Sequence, residues 1–159
     1  MGPPIPVVLV SPHSGRAFPP RFRGAVRLDE KALRRSEDCF VDEIFSGGPG
    51  VGAPLISATF ARAFLDVNRE AFELDPAMFD GPLPAYVNCR SPRVKAGLGT
   101  IARVVSRGQE IYGKKLEFSE ALERVRDYYV PFHEAVQSTI NTTQSAFGAC
   151  ILIDCHSMP

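Results

Sequence analysis

The fold is decided by the run Val7-Val8-Leu9-Val10-Ser11-Pro12-His13-Ser14-Gly15, in which an apolar segment ends at a proline, a histidine, a serine and a glycine. An uncharged run of valine and leucine is typical of a strand that is buried on both faces of a parallel sheet. Ligands bind outside the carboxyl ends of such strands, and histidine can titrate or bind a metal. We therefore expect His13 at a functional edge of the sheet.

A second apolar run, Ala149-Cys150-Ile151-Leu152-Ile153, lies near the other end of the chain and leads into Asp154-Cys155-His156-Ser157. Two predicted strands therefore end in His-Ser. Right-handed crossovers would bring the carboxyl ends of both strands to one edge of the sheet, so we expect His13 and His156 to meet there. A buried strand needs further chain to cover it, and we therefore expect the sequence to be the N-terminal portion of a longer fold.

The segment between these runs predicts further strands and helices. Residues 54–60 form a predicted strand, Ser36 is expected to cap a helix over 37–45, and Ser119 is expected to cap the longest helix. Pro131 should kink that helix, whose core-facing stripe consists of Leu122, Val125, Tyr129, Phe132, Val136 and Ile140. We predict an α/β fold for residues 1–159 as a single domain, with a mainly parallel or mixed central sheet flanked by helices.

Composition excludes several classes of protein. Lys+Arg and Asp+Glu both total 18, so there is no basic surplus for nucleic-acid binding. No secretory signal and no run of about 18 apolar residues is present, so we expect no membrane partner. The four cysteines lack zinc-knuckle spacing. We expect a cytoplasmic protein that acts on a small molecule, and composition does not indicate its oligomeric state.

Candidate metal chemistry follows from the two histidines. Two imidazoles and one carboxylate, with the fourth position open to water, form the ligand set of a catalytic zinc hydrolase. Asp154 precedes His156 by two residues, so both share one face of a strand, and Asp154 is a candidate supporting partner or alternative ligand. A serine nucleophile at Ser14 or Ser157 is disfavoured because neither lies in a Gly-x-Ser-x-Gly turn.

Acidic residues follow Ser36. Asp38 and Asp42 lie one helical turn apart, and like charges at that spacing repel unless a cation offsets them. The alternative is that Glu37 and Asp38 simply favour the positive end of the helix dipole. The pair is therefore either part of a cation site or a feature of the helix terminus.

Candidate anion-binding residues lie in two places. Asn68-Arg69 closes an apolar segment, and a guanidinium can clamp a carboxylate with two hydrogen bonds. The alternative is that Arg69 is a solvated surface arginine, with Asp66 tethering Arg69 or Arg62. Arg103 is the one charged residue of a predicted strand over 100–105, which is expected to pair with 110–112 as a hairpin.

Six motifs in this order resemble the successive signatures of the N-formylglutamate amidohydrolase family. The resemblance covers essentially the whole chain, and six linked motifs are more specific than any one of them. The motifs are Ser11-Pro-His13-Ser-Gly, Glu37-Asp38-Cys-Phe-Val-Asp42, Leu65-Asp-Val-Asn68-Arg69, Gly97-Leu-Gly-Thr-Ile-Ala-Arg103, Tyr128-Tyr-Val-Pro-Phe-His133 and Ile153-Asp-Cys-His156-Ser-Met158.

The resemblance implies a phosphorylase/hydrolase-like α/β fold, as in zinc carboxypeptidases and aspartoacylases. It implies one zinc ion and hydrolysis of the amide of N-acylated amino acids, with N-formyl-L-glutamate giving formate and L-glutamate as the founding reaction. His13 and His156 would be zinc ligands, and Asn68-Arg69 would hold the substrate carboxylate.

The sequence departs from the wider carboxypeptidase pattern in two ways. Arg16 stands where a glutamate ligand would be, so we expect Asp38 as the carboxylate ligand, with Glu37 next. Supporting roles then fall to Glu37, Asp42 and Asp154.

The second departure is that the general-base glutamate of that group has no counterpart in this sequence. In the amidohydrolase interpretation, Arg103 or Arg62 would hold a second substrate carboxylate or the developing oxyanion. The alternatives are a catalytically silent relative that binds a metal or an acidic ligand, and a zinc aminoacylase or exopeptidase with the same site.

Overall fold

A three-stranded parallel sheet carries both histidine-bearing strands. In the computed structural model, which describes residues 2–157, its strands are β1 (Val7–Ser11), β2 (Leu55–Ser57) and β5 (Ile151–Asp154), in the order β2-β1-β5. Strand β1 is central, and Leu9 pairs with Leu55 on one side and with Ile153 on the other. The predicted adjacency of the first and last strands is confirmed. Met158 of the last quoted motif lies outside the described residues.

The two His-Ser strands differ in burial. Val8, Leu9 and Val10 are 0%, 6% and 6% exposed, as predicted for a strand covered on both faces. Ile151, Leu152 and Ile153 are 58%, 47% and 41% exposed, so the expectation of a second buried strand is wrong for these residues. An apolar run specifies a strand, but burial of its faces depends on which other elements pack there.

Helices and a small hairpin connect the strands, so the predicted α/β class with flanking helices is confirmed. The hairpin pairs β3 (Val104–Val105) antiparallel with β4 (Gln109–Glu110). No helix within residues 2–157 has the length and apolar character needed to cross a membrane. The helices are α1 (Pro20–Ala25), α2 (Glu30–Leu33), α3 (Val41–Ile44), α4 (Pro92–Lys95), α5 (Phe118–Arg124) and α6 (Val130–Phe147).

Two predicted helix boundaries are wrong. The helix expected over 37–45 is only α3, because Phe40 adopts a left-handed conformation with φ of 64° immediately before it. Helix α5 begins at Phe118, after Glu117, so Ser119 is not its cap. Leu122 is 43% exposed, so the predicted stripe does not bury every member.

Pro131 lies near the start of α6 and is accommodated without ending the helical segment. A π-helical turn, Val125–Tyr129, joins α5 to α6, and Pro131 occupies one of the first two positions of α6. A wider turn relaxes the hydrogen-bond ladder at the point where proline lacks an N–H group. The structure therefore has a π-helical turn ahead of Pro131, and the kink itself stays a prediction.

Candidate metal and ligand site

His13 follows directly from the buried strand β1. Its side chain is 2% exposed, and its Nε2 lies 2.7 Å from Oδ1 of Asp66. Its Nδ1 is buried and has no hydrogen-bond partner in the described part of the chain. A carboxylate at Nε2 fixes the proton on that nitrogen, which leaves the Nδ1 lone pair free to bind a cation.

Asp66 holds this imidazole and was not among the predicted site residues. Burial alone would raise the pKa of Asp66, but the hydrogen bond from His13 and the charges of Arg62 and Arg69 outweigh it and lower that pKa far below its usual value. Asp66 also accepts the backbone N–H of Asn68 at 2.9 Å. The sequence indicated that Asp66 could contact Arg62 and Arg69, which lie four and three residues away. It could not indicate the contact of Asp66 with His13, because that contact depends on the tertiary fold.

His156 follows β5 and meets His13, with 4.9 Å between the ring centroids. The predicted convergence of the two imidazoles is confirmed. Nδ1 of His156 lies 2.9 Å from Oδ2 of Asp38, and Nε2 lies 2.8 Å from Oδ2 of Asp154. Partial burial lowers the pKa of His156, but the carboxylates of Asp154 and Asp38 outweigh it and raise that pKa above its usual value.

Asp38 completes a three-residue cluster. Its side chain is buried, its Oδ2 lies 3.5 Å from Nδ1 of His13, and its backbone N–H donates to the His13 carbonyl at 3.0 Å. One ligand atom from each of His13, Asp38 and His156 lies within 4.8 Å of the others. Two imidazole nitrogens, one of them buried without a partner, and one carboxylate fit a divalent ion of the zinc type.

Glu37 and Asp42 lie beside this cluster but make other contacts. Glu37 accepts two hydrogen bonds from Arg34, at 2.7 and 3.1 Å, and Asp42 lies 3.0 Å from Arg16. The structure therefore brings Asp38 to the imidazoles, while Glu37 and Asp42 contact arginines. Ser14, dismissed as a nucleophile, is buried and its Oγ accepts the backbone N–H of Asp42 at 3.2 Å.

A cavity of about 550 Å³ opens onto the cluster and carries three arginines. Arg69 is 12% exposed in its side chain, and burial lowers its pKa. Arg35 was not predicted, because nothing in its surface-helix sequence context distinguishes it from a solvated arginine. The lining residues are His13, Arg35, Ser36, Glu37, Asp38, Arg62, Asn68, Arg69, His156 and Ser157.

Arg103 is not brought to this cavity, and its predicted substrate or catalytic role conflicts with its position. Its Nε donates to Asp75 at 2.8 Å, its Nη1 lies 3.7 Å from Glu110, and it lines a separate cavity with Arg27 and Tyr112. The predicted strand over 100–105 is only Val104–Val105, so Arg103 precedes the hairpin and turns toward the neighbouring acidic residues.

The parallel sheet and the cluster at its carboxyl edge define a hydrolase-like α/β protein. A family model described as N-formylglutamate amidohydrolase matches residues 5–159, and the chain belongs to that family. The chain is similar to an N-formylglutamate deformylase of Pseudomonas putida, with 20% identity over 97% of this chain and 52% of that protein.

Comparison with a solved structure supports the same family and shows that the fold is shared. The chain resembles the N-formylglutamate amidohydrolase of Ralstonia eutropha JMP134 with a TM-score of 0.91 and 35% identity, over 99% of this chain and 55% of that chain. The present chain therefore spans about half the length of these relatives.

Proposed function

We propose that the protein is a zinc-dependent amidohydrolase that acts on N-acylated amino acids, with N-formyl-L-glutamate as the first candidate substrate. One observation supports this most directly: His13, Asp38 and His156 converge at a cavity that also contains Arg35, Arg62 and Arg69. Membership of the family and the names of its relatives support the type of reaction.

In this proposal, His13, Asp38 and His156 hold one zinc ion. When bound, zinc polarises the scissile carbonyl and provides a nucleophilic water near neutral pH. Asp66 keeps the proton on Nε2 of His13, so that Nδ1 is unprotonated, and Asp154 orients His156 through its Nε2. These two carboxylates thus prepare the imidazoles before any ligand arrives.

Substrate carboxylates are proposed to bind the cationic wall of the cavity. The Arg69 guanidinium contacts two backbone carbonyls, of Leu98 at 3.2 Å and Asn68 at 2.8 Å, which hold it at the edge of the cavity. We assign Arg69 and Asn68 to the α-carboxylate, because a fixed, half-buried guanidinium and a neutral amide suit a single carboxylate.

Arg35 and Arg62 are proposed to hold a second carboxylate or the developing oxyanion. Arg35 donates to the neutral Oε1 of Gln109 at 2.6 Å, and no carboxylate of residues 2–157 lies within 4.0 Å of it. Its charge is therefore not compensated at close range, which favours an acidic ligand such as glutamate. Arg62, by contrast, is held by Asp66 at 3.0 Å.

The test is metal analysis of the purified chain, followed by assays of formate or carboxylate release from N-formyl and N-acetyl amino acids. We expect about one bound zinc per chain and release that depends on it, with loss of both in His13→Ala. We expect Arg69→Ala to weaken substrate binding at least tenfold and Arg103→Ala, the matched control, to leave it unchanged. Hydrolysis that persists in His13→Ala would contradict the proposal.

A second candidate function, binding without turnover, is favoured by one observation. Both carboxylates that line the cavity are already engaged, Glu37 with Arg34 and Asp38 with His156, so neither is free to act as general base. Calorimetric binding of an N-acyl amino acid without release of product would support this function, and measurable turnover would exclude it.

A further inference from the structure

We infer that Arg16 is a positioning residue for the candidate metal site: it folds the segment 37–43 around itself and thereby points Asp38 at the two imidazoles. The inference rests on the proposed metal site. Arg16 does not line the cavity, so it would act through Asp38 rather than on a ligand.

The segment 37–43 is strongly acidic. It contains four carboxylates, those of Glu37, Asp38, Asp42 and Glu43. Arg16 reaches three of them: its Nη1 lies 2.9 Å from Glu43, its Nη2 lies 3.0 Å from Asp42, and its Nε lies 3.5 Å from Glu37. Asp38 is the one carboxylate of these four that forms no ion pair with Arg16, and it contacts the two imidazoles instead. Like charges this close repel, so removing Arg16 would favour an opened segment.

A turn with a left-handed residue separates Asp38 from Asp42 and Glu43, two of the three carboxylates that Arg16 contacts. Phe40 has a φ of 64°, which residues other than glycine rarely adopt, and the Val41 N–H donates to the Asp38 carbonyl at 3.4 Å across this turn. The Arg16 guanidinium lies over the Phe40 ring at 5.1 Å, a cation–π contact. Arg16 thus stabilises the turn on both sides, through the ring of Phe40 and through the carboxylates after it.

The loop after β1, which carries Arg16, is held in place by hydrogen bonds and close packing. Two hydrogen bonds join the loop after β1 to the segment: Asp38 N–H donates to the His13 carbonyl, and Asp42 N–H donates to Ser14 Oγ. A Cβ on Gly15 would lie 2.2 Å from the Phe60 carbonyl oxygen, so the backbone before Arg16 is pressed against its neighbour. His13 and Arg16 therefore belong to one loop that is hydrogen-bonded and closely packed, and from it Arg16 contacts the carboxylates on either side of Asp38.

The experiment measures zinc affinity by chelator competition in the full chain, with wild type, Arg16→Ala, Arg16→Lys and the control Arg21→Ala. Arg21 also pairs with two carboxylates, Glu123 and Glu120, but outside the site. We expect Arg16→Ala to weaken zinc binding at least tenfold, because loss of a group that orients a ligand typically costs 10- to 100-fold in metal affinity. Arg21→Ala should bind zinc as wild type does.

A second readout separates positioning from general stability. The visible spectrum of bound Co²⁺ reports ligand geometry, and we expect it to change in Arg16→Ala at temperatures where circular dichroism shows a folded chain. Arg16→Lys should recover part of the affinity, since it keeps the charge but lacks the planar fork that serves three carboxylates. Wild-type affinity and an unchanged spectrum in folded Arg16→Ala would overturn the inference.

The remaining outcomes separate a failure of the role inferred for Arg16 from a failure of the proposed function. If Arg16→Ala does not fold, Arg16→Lys and the double variant Asp42→Asn with Glu43→Gln replace it: weaker zinc binding supports the inference and wild-type binding overturns it. A wild-type chain that binds no divalent metal overturns both this inference and the proposed function. A chain that binds zinc but hydrolyses no N-acyl amino acid contradicts only the proposed reaction.

Discussion

The two ends of the candidate site have the same sequence, His-Ser after an apolar strand, but different surroundings. His13 is 2% exposed, follows the central strand β1 and is fixed by Asp66. His156 is 24% exposed in its side chain and follows β5, which has one neighbouring strand and exposed apolar residues.

The His13 end of the site is therefore part of the buried core, whereas the His156 end lies against that core. Changes at the His13 end should alter both stability and ligand binding, because the same buried contacts serve both. Changes at the His156 end should alter ligand binding with a smaller effect on stability. Paired variants at matched positions test this separation.

The largest expected difference is between His13→Ala and His156→Ala. Both should abolish tight zinc binding. His13→Ala removes a ring that is 2% exposed and leaves a cavity beside the buried Asp66, so it should lower the free energy of unfolding by about 3 kcal/mol. His156→Ala removes a ring that is 24% exposed but leaves the buried Asp38 without its partner at 2.9 Å, so it should cost about 1–2 kcal/mol. Urea unfolding in the presence of a chelator measures both, and equal losses would contradict the comparison.

The next difference compares two residues that pair directly across the sheet. Leu9 is 6% exposed and Ile153, its partner in register, is 41% exposed. Leu9→Ala should cost about 2–4 kcal/mol, because it leaves a cavity in the core, and Ile153→Ala should cost about 1 kcal/mol or less. Thermal unfolding of the two variants provides the measurement, and a larger loss for Ile153→Ala would show that β5 is covered in solution.

The smallest expected difference is in pH dependence of the metal-free protein. The folded-state pKa of Asp66 is lowered, so its contribution to stability is present above about pH 5 and is lost as the pH falls through its unfolded value, about 4, toward the folded one. The Asp66→Asn variant should therefore lose less stability than wild type on acidification. Unfolding curves between pH 7 and about pH 3 test this, and parallel losses would contradict it.

His156 should show the opposite dependence. Its folded-state pKa is raised, so its contribution is present below its unfolded value, about 6.5, and is lost as the pH rises through the folded pKa. His156→Ala should flatten the dependence above about pH 6 and leave the acid side unchanged. The same unfolding series, extended to about pH 9, measures this change.

The sequence predicted what depends on local pattern and topology. The run ending at His13 and the run ending at His156 were sufficient to place both imidazoles at one edge of a parallel sheet, since parallel strands align their carboxyl ends. Asp38 reaches them even though the helix predicted around it is wrong. Its contacts depend on the left-handed turn at Phe40, and no glycine or asparagine indicated that turn.

The remaining features depend on contacts between distant residues. Asp66 contacts His13 across the fold, Arg103 turns to Asp75, and Arg35, which lines the cavity, donates to Gln109 of β4. Periodicity and charge spacing indicate which residues are neighbours within one helix or strand. They do not indicate which residues of different helices, strands or loops come into contact. Exposure of β5 was also missed, because an apolar run does not tell which of its faces will be covered.

The pairing of β1 with β5 limits how early in folding the candidate metal site can form. Val7 pairs with Ile151, so the pairing of these neighbouring strands closes a loop of about 140 residues, and such long-range pairing is slow to form. His13 can be fixed by Asp66 before that step, but the three donor groups meet only after it. In the proposed metal site, zinc uptake would therefore report the pairing of β1 with β5, and pulse-labelling against zinc uptake would time that pairing.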